Sequence, residues 1–232
     1  MYLWRRPLST WRGLTARAAP GTHEGVVEVL LKNKVPSTHG PQLDLACGTG
    51  ALIARLKDHG FSKIEGADLN PEQCGLSDLK PRQVSFDKPF AQEFYPTCYE
   101  LITAVEIIEH LENPWQFLRE IKQLLTTDGF ALISTPNVGH WLSRMQFLRS
   151  GQLKYFSTFD FHEQRHITPI FDHHMRLMLE EIGFELVDFK CTGTSWGLLI
   201  KILTAPLAFV FWLLNKEMTQ GNVNIYLLKK RV

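Results

Sequence analysis

Short apolar runs alternate with helical stretches along most of this chain, and their order predicts its architecture. Such alternation indicates a mostly parallel sheet covered by helices on both faces. We expect the last strand to pair antiparallel with the strand before it. The predicted fold class is therefore α/β, with a Rossmann-like, seven-stranded sheet. The predicted strands span residues 43–46, 64–67, 84–86, 101–105, 131–134, 184–190 and 223–228.

Three helices can be bounded from the sequence. The first is predicted over residues 24–32, and another over residues 169–182, ending at Gly183. Between them, Asn113 serves as a cap and Pro114 as the first helical residue, followed by an apolar spacing that gives one buried face. We expect this helix to end at Asp128 and Gly129.

Length and composition indicate one folded domain. A chain of 232 residues, 44% hydrophobic and 21% charged, is long enough for a single α/β domain with a sizeable core. We assign this domain to residues 21–232 and treat residues 1–20 as a basic N-terminal arm. Residues 138–170 are aromatic and rich in histidine, and we expect an irregular, lid-like insertion there. A second, hydrophobic insertion lies at about residues 196–216.

The arm differs from the rest of the chain in charge. No acid precedes Glu24, and the arm combines arginine with serine and threonine, which is typical of a mitochondrial presequence. The interpretation that we favour is an arm beside the folded domain, with Trp4 and Trp11 lying on anionic lipid. The arginines are Arg5, Arg6, Arg12 and Arg17.

Net charge and cysteine content exclude several classes of protein. The formal net charge is +1, and we expect no nucleic-acid partner because such a partner requires a large excess of lysine and arginine. The cysteines form no C-x-x-C pair, which argues against a zinc site or a disulfide framework. We therefore expect a reducing compartment, the cytoplasm, with the mitochondrion as the alternative. The cysteines are Cys47, Cys74, Cys98 and Cys191.

Residues 198–214 approach a membrane span in length and polarity. They contain one charge, Lys201, and one helix breaker, Pro206. A crossing is disfavoured because the last strand would emerge on the opposite side of the membrane from its pairing partner. We favour shallow peripheral contact, with Trp196 and Trp212 as interfacial anchors. The alternative is burial in the protein or in a dimer interface.

The most informative chemistry follows the first predicted strand. Gly48 and Gly50 lie in a turn that opens a helix, so a ligand can approach the backbone and the helix N-terminus. Asp68 ends the next strand, where a carboxylate is placed to accept hydrogen bonds from ribose hydroxyls. These residues predict a nucleoside cofactor pocket. A dinucleotide fingerprint has a third glycine where this chain has Ile53, which argues against NAD.

Four blocks occur in the order found in one enzyme family. Leu-Asp-Leu-Ala-Cys-Gly-Thr-Gly at 43–50 resembles motif I of class I S-adenosylmethionine (SAM) dependent methyltransferases. Glu-Ile-Ile-Glu-His-Leu-Glu-Asn-Pro at 106–114, Leu-Leu-Thr-Thr-Asp-Gly at 124–129 and Ile-Ser-Thr-Pro-Asn at 133–137 resemble blocks of the ubiquinone-biosynthesis-like (UbiG-like) branch. Phe130 departs from that pattern by replacing a glycine. The resemblance covers about residues 22–229.

The resemblance implies a pocket that holds both polar ends of SAM and leaves its methyl group exposed. It places Asp44, Ala46, Gly48, Thr49 and Gly50 at the amino-acid end, Asp68 at the ribose, Leu69 on the adenine, Asp87 near the adenine amino group and Glu106 along the pocket.

Candidate catalytic residues follow from the needs of an acceptor hydroxyl. Such a hydroxyl must lose its proton, and histidine is a suitable base because its pKa lies near the operating pH. We favour His110, then His166. The spacing of Glu106, Glu109 and His110 also resembles the metal motif of ubiquinone-type and small-RNA 2′-O-methyltransferases, in which Mg²⁺ would lower the pKa of the acceptor and orient it.

The expected reaction is SAM-dependent O-methylation of a hydroxyl on a small or lipid-linked acceptor. The hydrophobic insertion is the reason to prefer a lipophilic acceptor. N- or C-methylation is the alternative within the class, because the cofactor half of the chain would be the same. A non-catalytic SAM-fold subunit and a nicotinamide oxidoreductase are the alternatives outside it.

Overall fold

A central β-sheet organises the molecule. The computed structural model describes residues 8–36, 40–193, 205–206, 209, 213 and 221–231. In these residues, two short strands form a hairpin and seven form one sheet in the order β5-β4-β3-β6-β7-β9-β8. The parallel strands and the antiparallel β9 confirm the Rossmann-like α/β prediction. The strands are β1 (Thr10–Trp11), β2 (Leu14–Thr15), β3 (Gln42–Leu45), β4 (Ile64–Asp68), β5 (Arg82–Gln83), β6 (Tyr99–Val105), β7 (Leu125–Pro136), β8 (Phe184–Thr192) and β9 (Val223–Lys230).

Helices cover both faces of the sheet. Helices α1 and α2 contribute to a core on one face that includes Ile53, whereas α3 and α5 contribute to a core on the other face that includes Phe117. Strand β9 supplies Leu227 to the first core and Leu228 to the second, as expected for side chains that alternate along a strand. The α-helices with both ends in the described residues are α1 (Thr22–Lys32), α2 (Ala51–Asp58), α3 (Pro114–Leu124), α4 (Trp141–Ser150) and α5 (Asp172–Ile182).

Helix α3 begins as predicted but ends earlier. Pro114 is its first residue and Asn113 caps it. It stops at Leu124, because the next residue already pairs with β6 and the chain passes directly into β7. Asp128 and Gly129, the expected end of the helix, lie instead where the pairing of β6 and β7 is irregular.

The third predicted strand, at residues 84–86, is displaced. Strand β5 covers only Arg82–Gln83. Val84 and Phe86 are buried because they pack into the core, with the Phe86 ring centroid 5.2 Å from that of Phe90. Their apolar character therefore reflects core packing after the strand has ended.

An α-helix in the lid segment and a hairpin in the arm were not predicted from the sequence. The lid segment, residues 138–170, was expected to be irregular, but it contains α4, whose first turn is capped by the His140 side chain accepting a hydrogen bond from the Leu142 N–H at 3.2 Å. In the arm, β1 and β2 form a hairpin. Its two-residue turn consists of Arg12 and Gly13 with φ of 48° and 80°, which is the pattern of a type I′ turn.

The hydrophobic insertion lies almost entirely outside the described residues, and so do Trp196 and Trp212. Among the residues that the structure describes, no helix has the length and apolar character needed to cross a membrane. Between Gly193 and Gly221 the structure describes only residues 205–206, 209 and 213.

Candidate active site

A large cavity opens at the carboxyl ends of the parallel strands, where ligands bind in open α/β sheets. Its volume is about 780 Å³, within the range of small-molecule sites. The ends of β3, β4 and β6 line it, and the lid segment and the arm supply further walls. It brings together most of the predicted site residues: Asp44, Ala46, Gly48, Thr49, Asp68, Leu69, Glu106, Glu109, His110 and His166.

Two predicted cofactor residues lie outside this lining. Gly50, with φ of 82°, precedes α2 and shapes the turn, and a Cβ there would lie 2.7 Å from a Leu76 carbon. Asp87 is exposed, and its carboxylate accepts a hydrogen bond from the Glu112 N–H at 3.0 Å. Its neighbour Phe86 lines the cavity instead. The structure therefore gives no support to a contact between Asp87 and adenine.

The glycine turn, residues 46–50, is held open toward the cavity. Ala46 and Gly48 have φ of 59° and 52°. A Cβ placed on Gly48 would meet only an Arg17 carbon, at 3.9 Å, so the space in front of this turn is available to a ligand. Gly50, the N-cap residue of α2, has no side chain that could cap the helix, which leaves its first N–H groups for an anionic group. The turn therefore fits the amino-acid end of SAM.

Asp68 connects the turn to the next strand. Its Oδ2 accepts a hydrogen bond from the Gly48 N–H at 2.8 Å, and its Oδ1 accepts one from the Asn70 N–H at 2.8 Å. A carboxylate has about four acceptor positions, so both oxygens keep capacity for ribose hydroxyls. Leu69, next to it, is 54% exposed and lines the cavity, as packing on adenine requires.

Asp44 is buried beneath the glycine turn. Thr103 Oγ1 donates a hydrogen bond to its Oδ1 at 2.5 Å. Burial raises the pKa of Asp44 to about 7, opposed by this hydrogen bond and reinforced by the nearby charge of Asp68. A cation in the cavity would favour the ionised form of such a carboxyl group.

Glu106 follows β6 in a strained backbone conformation. Its φ is 55°, which is uncommon for a residue other than glycine. Ser134 holds it in place: the Glu106 N–H donates to the Ser134 oxygen Oγ at 3.1 Å, and that hydroxyl donates to the Glu106 carboxylate at 3.2 Å. Burial raises the pKa of Glu106 to about 7. Glu106 is therefore a second acid at the cavity with a raised pKa.

The histidine cluster consists of Glu109, His110 and His166. One ligand atom of each lies within 4.8 Å of the others, and the two imidazole centroids are 4.8 Å apart. Glu109 is fully buried, and within the described residues neither carboxylate oxygen forms a hydrogen bond, although the Thr135 hydroxyl is nearby. Burial, and then the neighbouring Glu106, raise the pKa of Glu109 well above its usual value.

Backbone hydrogen bonds attach the lid segment to this cluster. The Glu109 carbonyl accepts from the N–H groups of Ile167 and Thr168, both at 3.0 Å. The Thr168 hydroxyl donates to the Leu111 carbonyl at 2.6 Å. His166 thus reaches His110 across some fifty residues of sequence because the end of the lid segment is fixed to the turn after β6.

The hydrogen bonding of His166 defines its tautomer. Its Nδ1 lies 2.7 Å from the Tyr155 carbonyl oxygen, and because a carbonyl only accepts, Nδ1 must carry the proton. In the neutral ring Nε2 then carries the lone pair. Burial, and then the neighbouring His166, lower the pKa of His110. Both imidazoles therefore suit proton transfer or metal binding.

The structure changes the predicted metal set. Glu106 is engaged by Ser134, whereas His166 joins Glu109 and His110 in the group of ligand atoms that the described residues bring together. Two imidazoles and a carboxylate suit ions such as Zn²⁺ better than Mg²⁺, which prefers oxygen ligands. This replacement was not predictable from spacing because His166 is remote in sequence.

Sequence analysis also missed two residues that line the cavity. Arg17 lies over Gly48, and within the described residues its guanidinium has no hydrogen-bond or ion-pair partner. His23, in the first turn of α1, is 7% exposed, and its Nδ1 has no hydrogen-bond partner in the described part of the chain. Burial, and then the Arg55 charge, lower the pKa of His23 to about 4. The basic composition of the arm was the sequence feature that could have indicated a role for Arg17 at the cavity.

A family model described as a methyltransferase domain matches residues 16–188, about three quarters of the 232 residues. The chain therefore belongs to this methyltransferase family. The class I methyltransferase fold that the motif resemblance predicted is the fold observed.

Similar proteins agree with this assignment. A ubiquinone biosynthesis O-methyltransferase of Yersinia enterocolitica is 28% identical over 102 residues, which are 41% of this chain and 42% of that protein. A demethylmenaquinone methyltransferase of Chlorobaculum parvum is 27% identical over 130 residues, 55% of this chain and 49% of that protein. The chain thus spans less than half the length of these curated relatives.

A solved SAM-dependent methyltransferase from Archaeoglobus fulgidus shares the fold. It superposes with a TM-score of 0.62 at 15% identity and covers 90% of this chain and 94% of its own. At this identity, the match shows that the two chains share the same fold.

Proposed function

We propose that this protein is a SAM-dependent O-methyltransferase that acts on a hydroxyl group of a small or lipid-linked acceptor. The observation that carries the proposal is the histidine cluster, which lies in the wall of the same cavity as the glycine turn. A cofactor pocket beside a proton-accepting group is the arrangement that methylation of a hydroxyl requires.

The cofactor half of the cavity is built from the glycine turn and Asp68. The open backbone at Gly48 and the N-terminus of α2 would receive the carboxylate of SAM, with the Arg17 cation beside them. Asp68 would accept the ribose hydroxyls, and the acids Asp44 and Glu106 favour a positively charged group nearby. SAM, when bound, supplies an electrophilic methyl group on a sulfonium.

The histidine cluster would prepare the acceptor. The lone pair on Nε2 of His166 takes the proton from the acceptor hydroxyl, while the Tyr155 carbonyl keeps the ring in the required tautomer. His110, neutral because its pKa is lowered, lies against that ring and helps to fix the acceptor. These roles make His166 the base and His110 its partner.

A divalent cation held by the histidine cluster is a second way to activate the same hydroxyl. The two buried Glu109 oxygens, which have no hydrogen bond within the described residues, fit a metal ligand. The donor set favours an ion such as Zn²⁺ over Mg²⁺. Activity that survives complete chelation with EDTA would leave the imidazole alone as the base.

The preference for a lipophilic acceptor rests on the hydrophobic insertion. Gly193 and Gly221, which flank the insertion, lie beside the cavity wall: a Cβ on Gly193 would be 3.3 Å from the Pro20 carbonyl oxygen, and Asn222, next to Gly221, lines the cavity. Phe209 and Leu213 are 56% and 62% exposed. Peripheral contact with a membrane would place a lipid-linked acceptor near this opening.

N- or C-methylation remains the alternative, because the cofactor half of the cavity serves all three reactions. The similarity to both an O-methyltransferase and a demethylmenaquinone methyltransferase keeps this alternative open. A non-catalytic role would leave SAM binding intact without transfer.

Radiolabelled methyl transfer tests the proposal. Full-length protein and methyl-labelled SAM are incubated with a membrane extract and, in parallel, with a soluble extract. A lipid product that carries the label in a base-stable methyl ether supports O-methylation of a lipophilic acceptor. Label in a methyl group bonded to carbon or nitrogen contradicts it. SAM binding without any transfer favours the accessory role.

A further inference from the structure

The arm folds into a β-hairpin that packs against α2. Its β1–β2 hairpin turns at Arg12 and Gly13, and the Ala16 N–H donates to the Ser9 carbonyl at 2.8 Å beyond the paired residues. The described part of the arm, residues 8–20, is thus structured before α1 begins at Thr22.

One carboxylate at the end of α2 receives the tip of this hairpin. Trp11 Nε1 donates to Asp58 Oδ2 at 2.8 Å, and the Arg12 guanidinium pairs with Asp58 Oδ1. The Arg55 guanidinium stacks over the Trp11 ring, 4.1 Å from its centroid, and pairs with Glu24 of α1 at 3.0 Å. Two charged groups of α2 therefore hold the indole in place.

The inner strand of the hairpin reaches the glycine turn itself. Thr49 Oγ1 donates to the Thr15 carbonyl at 2.8 Å. Leu14 fills the space above Gly75, where a Cβ would lie 2.6 Å from a Leu14 carbon, and the Gly75 N–H donates to the Thr49 carbonyl. The arm, the glycine turn and the loop after β4 are thereby one connected unit.

Docking of the hairpin determines where the next residues lie. Leu8 and residues 17–20 line the cavity, and the Arg17 side chain lies over Gly48. Within the described residues, the Arg17 guanidinium has no hydrogen bond or ion pair of its own, so its position depends on the hairpin anchored at Asp58. Releasing the hairpin would open one wall of the cavity at the cofactor end.

We propose that Trp11, Arg12 and Asp58 are positioning residues for the cofactor: they dock the arm so that Arg17 closes the cavity over the glycine turn. This inference rests on the proposed function, because it assigns SAM to that end of the cavity. Cofactor binding and arm docking are then linked, and linkage is reciprocal: the factor by which docking tightens binding equals the factor by which cofactor favours docking.

The first experiment measures the dissociation constant of S-adenosylhomocysteine (SAH) by calorimetry on the full chain. We expect Asp58→Ala to weaken binding at least fivefold, with Trp11→Phe and Asp58→Asn intermediate because each keeps part of the contact. Lys57→Ala, which removes the adjacent Lys57–Asp78 ion pair on the same helix, is the control and should bind as the wild type does. Melting temperatures measured alongside show that each variant is folded.

The second experiment uses trypsin, which can cut the arm after the exposed residues Arg12 and Arg17. When cleavage follows a transient opening of the arm, its rate reports the open population. Saturating SAH should slow cleavage in the wild type by the same factor that Asp58→Ala weakens SAH binding, and should protect the Asp58→Ala protein less. Cleavage is located by mass spectrometry.

The outcomes separate this inference from the proposed function. A wild-type protein that binds neither SAM nor SAH overturns both. Wild-type binding with equal affinities in folded Asp58→Ala and Trp11→Phe proteins, or with no protection of the arm by SAH, overturns only the docking role. Weakened binding together with protection supports it.

Discussion

The backbone N–H of Gly48 donates a hydrogen bond to Asp68 at 2.8 Å, across the gap between the turn after β3 and the end of β4. The same carboxylate accepts the Asn70 N–H at 2.8 Å and so also shapes the loop beyond β4. One side chain thereby fixes the spacing of two walls of the cavity, in addition to offering its remaining acceptor positions to a ribose.

Replacing Asp68 with alanine should therefore weaken SAH binding at least about tenfold, because a hydrogen bond to a charged group contributes roughly 1.5–3 kcal/mol. Calorimetry on the purified variant measures this. Glu72→Ala removes a nearby exposed carboxylate outside the cavity lining and should leave the dissociation constant unchanged. Equal affinities for wild type and Asp68→Ala would contradict the placement of the ribose.

His166→Asn should slow methyl transfer at least about a hundredfold while leaving SAH affinity near that of the wild type, since general-base catalysis contributes roughly 10²–10⁴-fold. The assay is label transfer to the membrane extract. His162→Asn is the matched control, because His162 belongs to the same lid segment but does not line the cavity. If both variants lose activity equally, the segment and not the base would be responsible.

Local pattern was enough to predict most of the fold. Buried strands such as β3 and β6 appear as continuous apolar runs, and Asn113 followed by Pro114 marks the start of α3. The errors arose where tertiary packing decided the outcome. Position 86 is apolar because Phe86 packs in an aromatic cluster and not because it lies in a strand. Leu125 joins the sheet, whereas helical spacing alone would have continued α3.

The cofactor end of the site was predictable for a related reason. Gly48 and Asp68 are tied to the ends of consecutive strands, which any fold of this class brings together. His166 was a candidate base, but its place beside Glu109 and His110 was not predictable, because it depends on the lid segment bonded to the Glu109 carbonyl. The contribution of Arg17 was not predictable either, because it depends on the hairpin anchored at Asp58. Neither contact can be inferred from the spacing of residues in the sequence.

Glu120 offers a stability test away from the site. Its side chain is buried, and one oxygen accepts the N–H groups of Phe90 and Ala91, both at 2.7 Å. Glu120→Ala leaves these two donors without that partner, and we expect the free energy of unfolding to fall by about 2–4 kcal/mol. Urea titration followed by circular dichroism measures it. Glu93→Ala, at an exposed position in the adjacent turn, should change it by less than about 0.5 kcal/mol.

The affinity for SAM should depend on pH more strongly than the affinity for SAH. Burial raises the pKa values of Asp44 and Glu106 to about 7, so each carboxyl group is partly protonated at neutral pH. The sulfonium of SAM favours the ionised carboxylates and lowers both pKa values, so SAM binding releases protons and tightens as pH rises. SAH has no sulfonium, so its binding does not lower these pKa values in the same way.

Between pH 6 and pH 8 we therefore expect the ratio of the SAH to the SAM dissociation constant to rise by about three- to tenfold, since an opposite charge shifts a carboxyl pKa by roughly 1–3 units. Calorimetry with both ligands at each pH measures the ratio and cancels the titration of groups that the ligands share. Asp44→Asn, which cannot ionise, should flatten the dependence. A ratio that stays constant across this range in the wild type would place the sulfonium away from both acids.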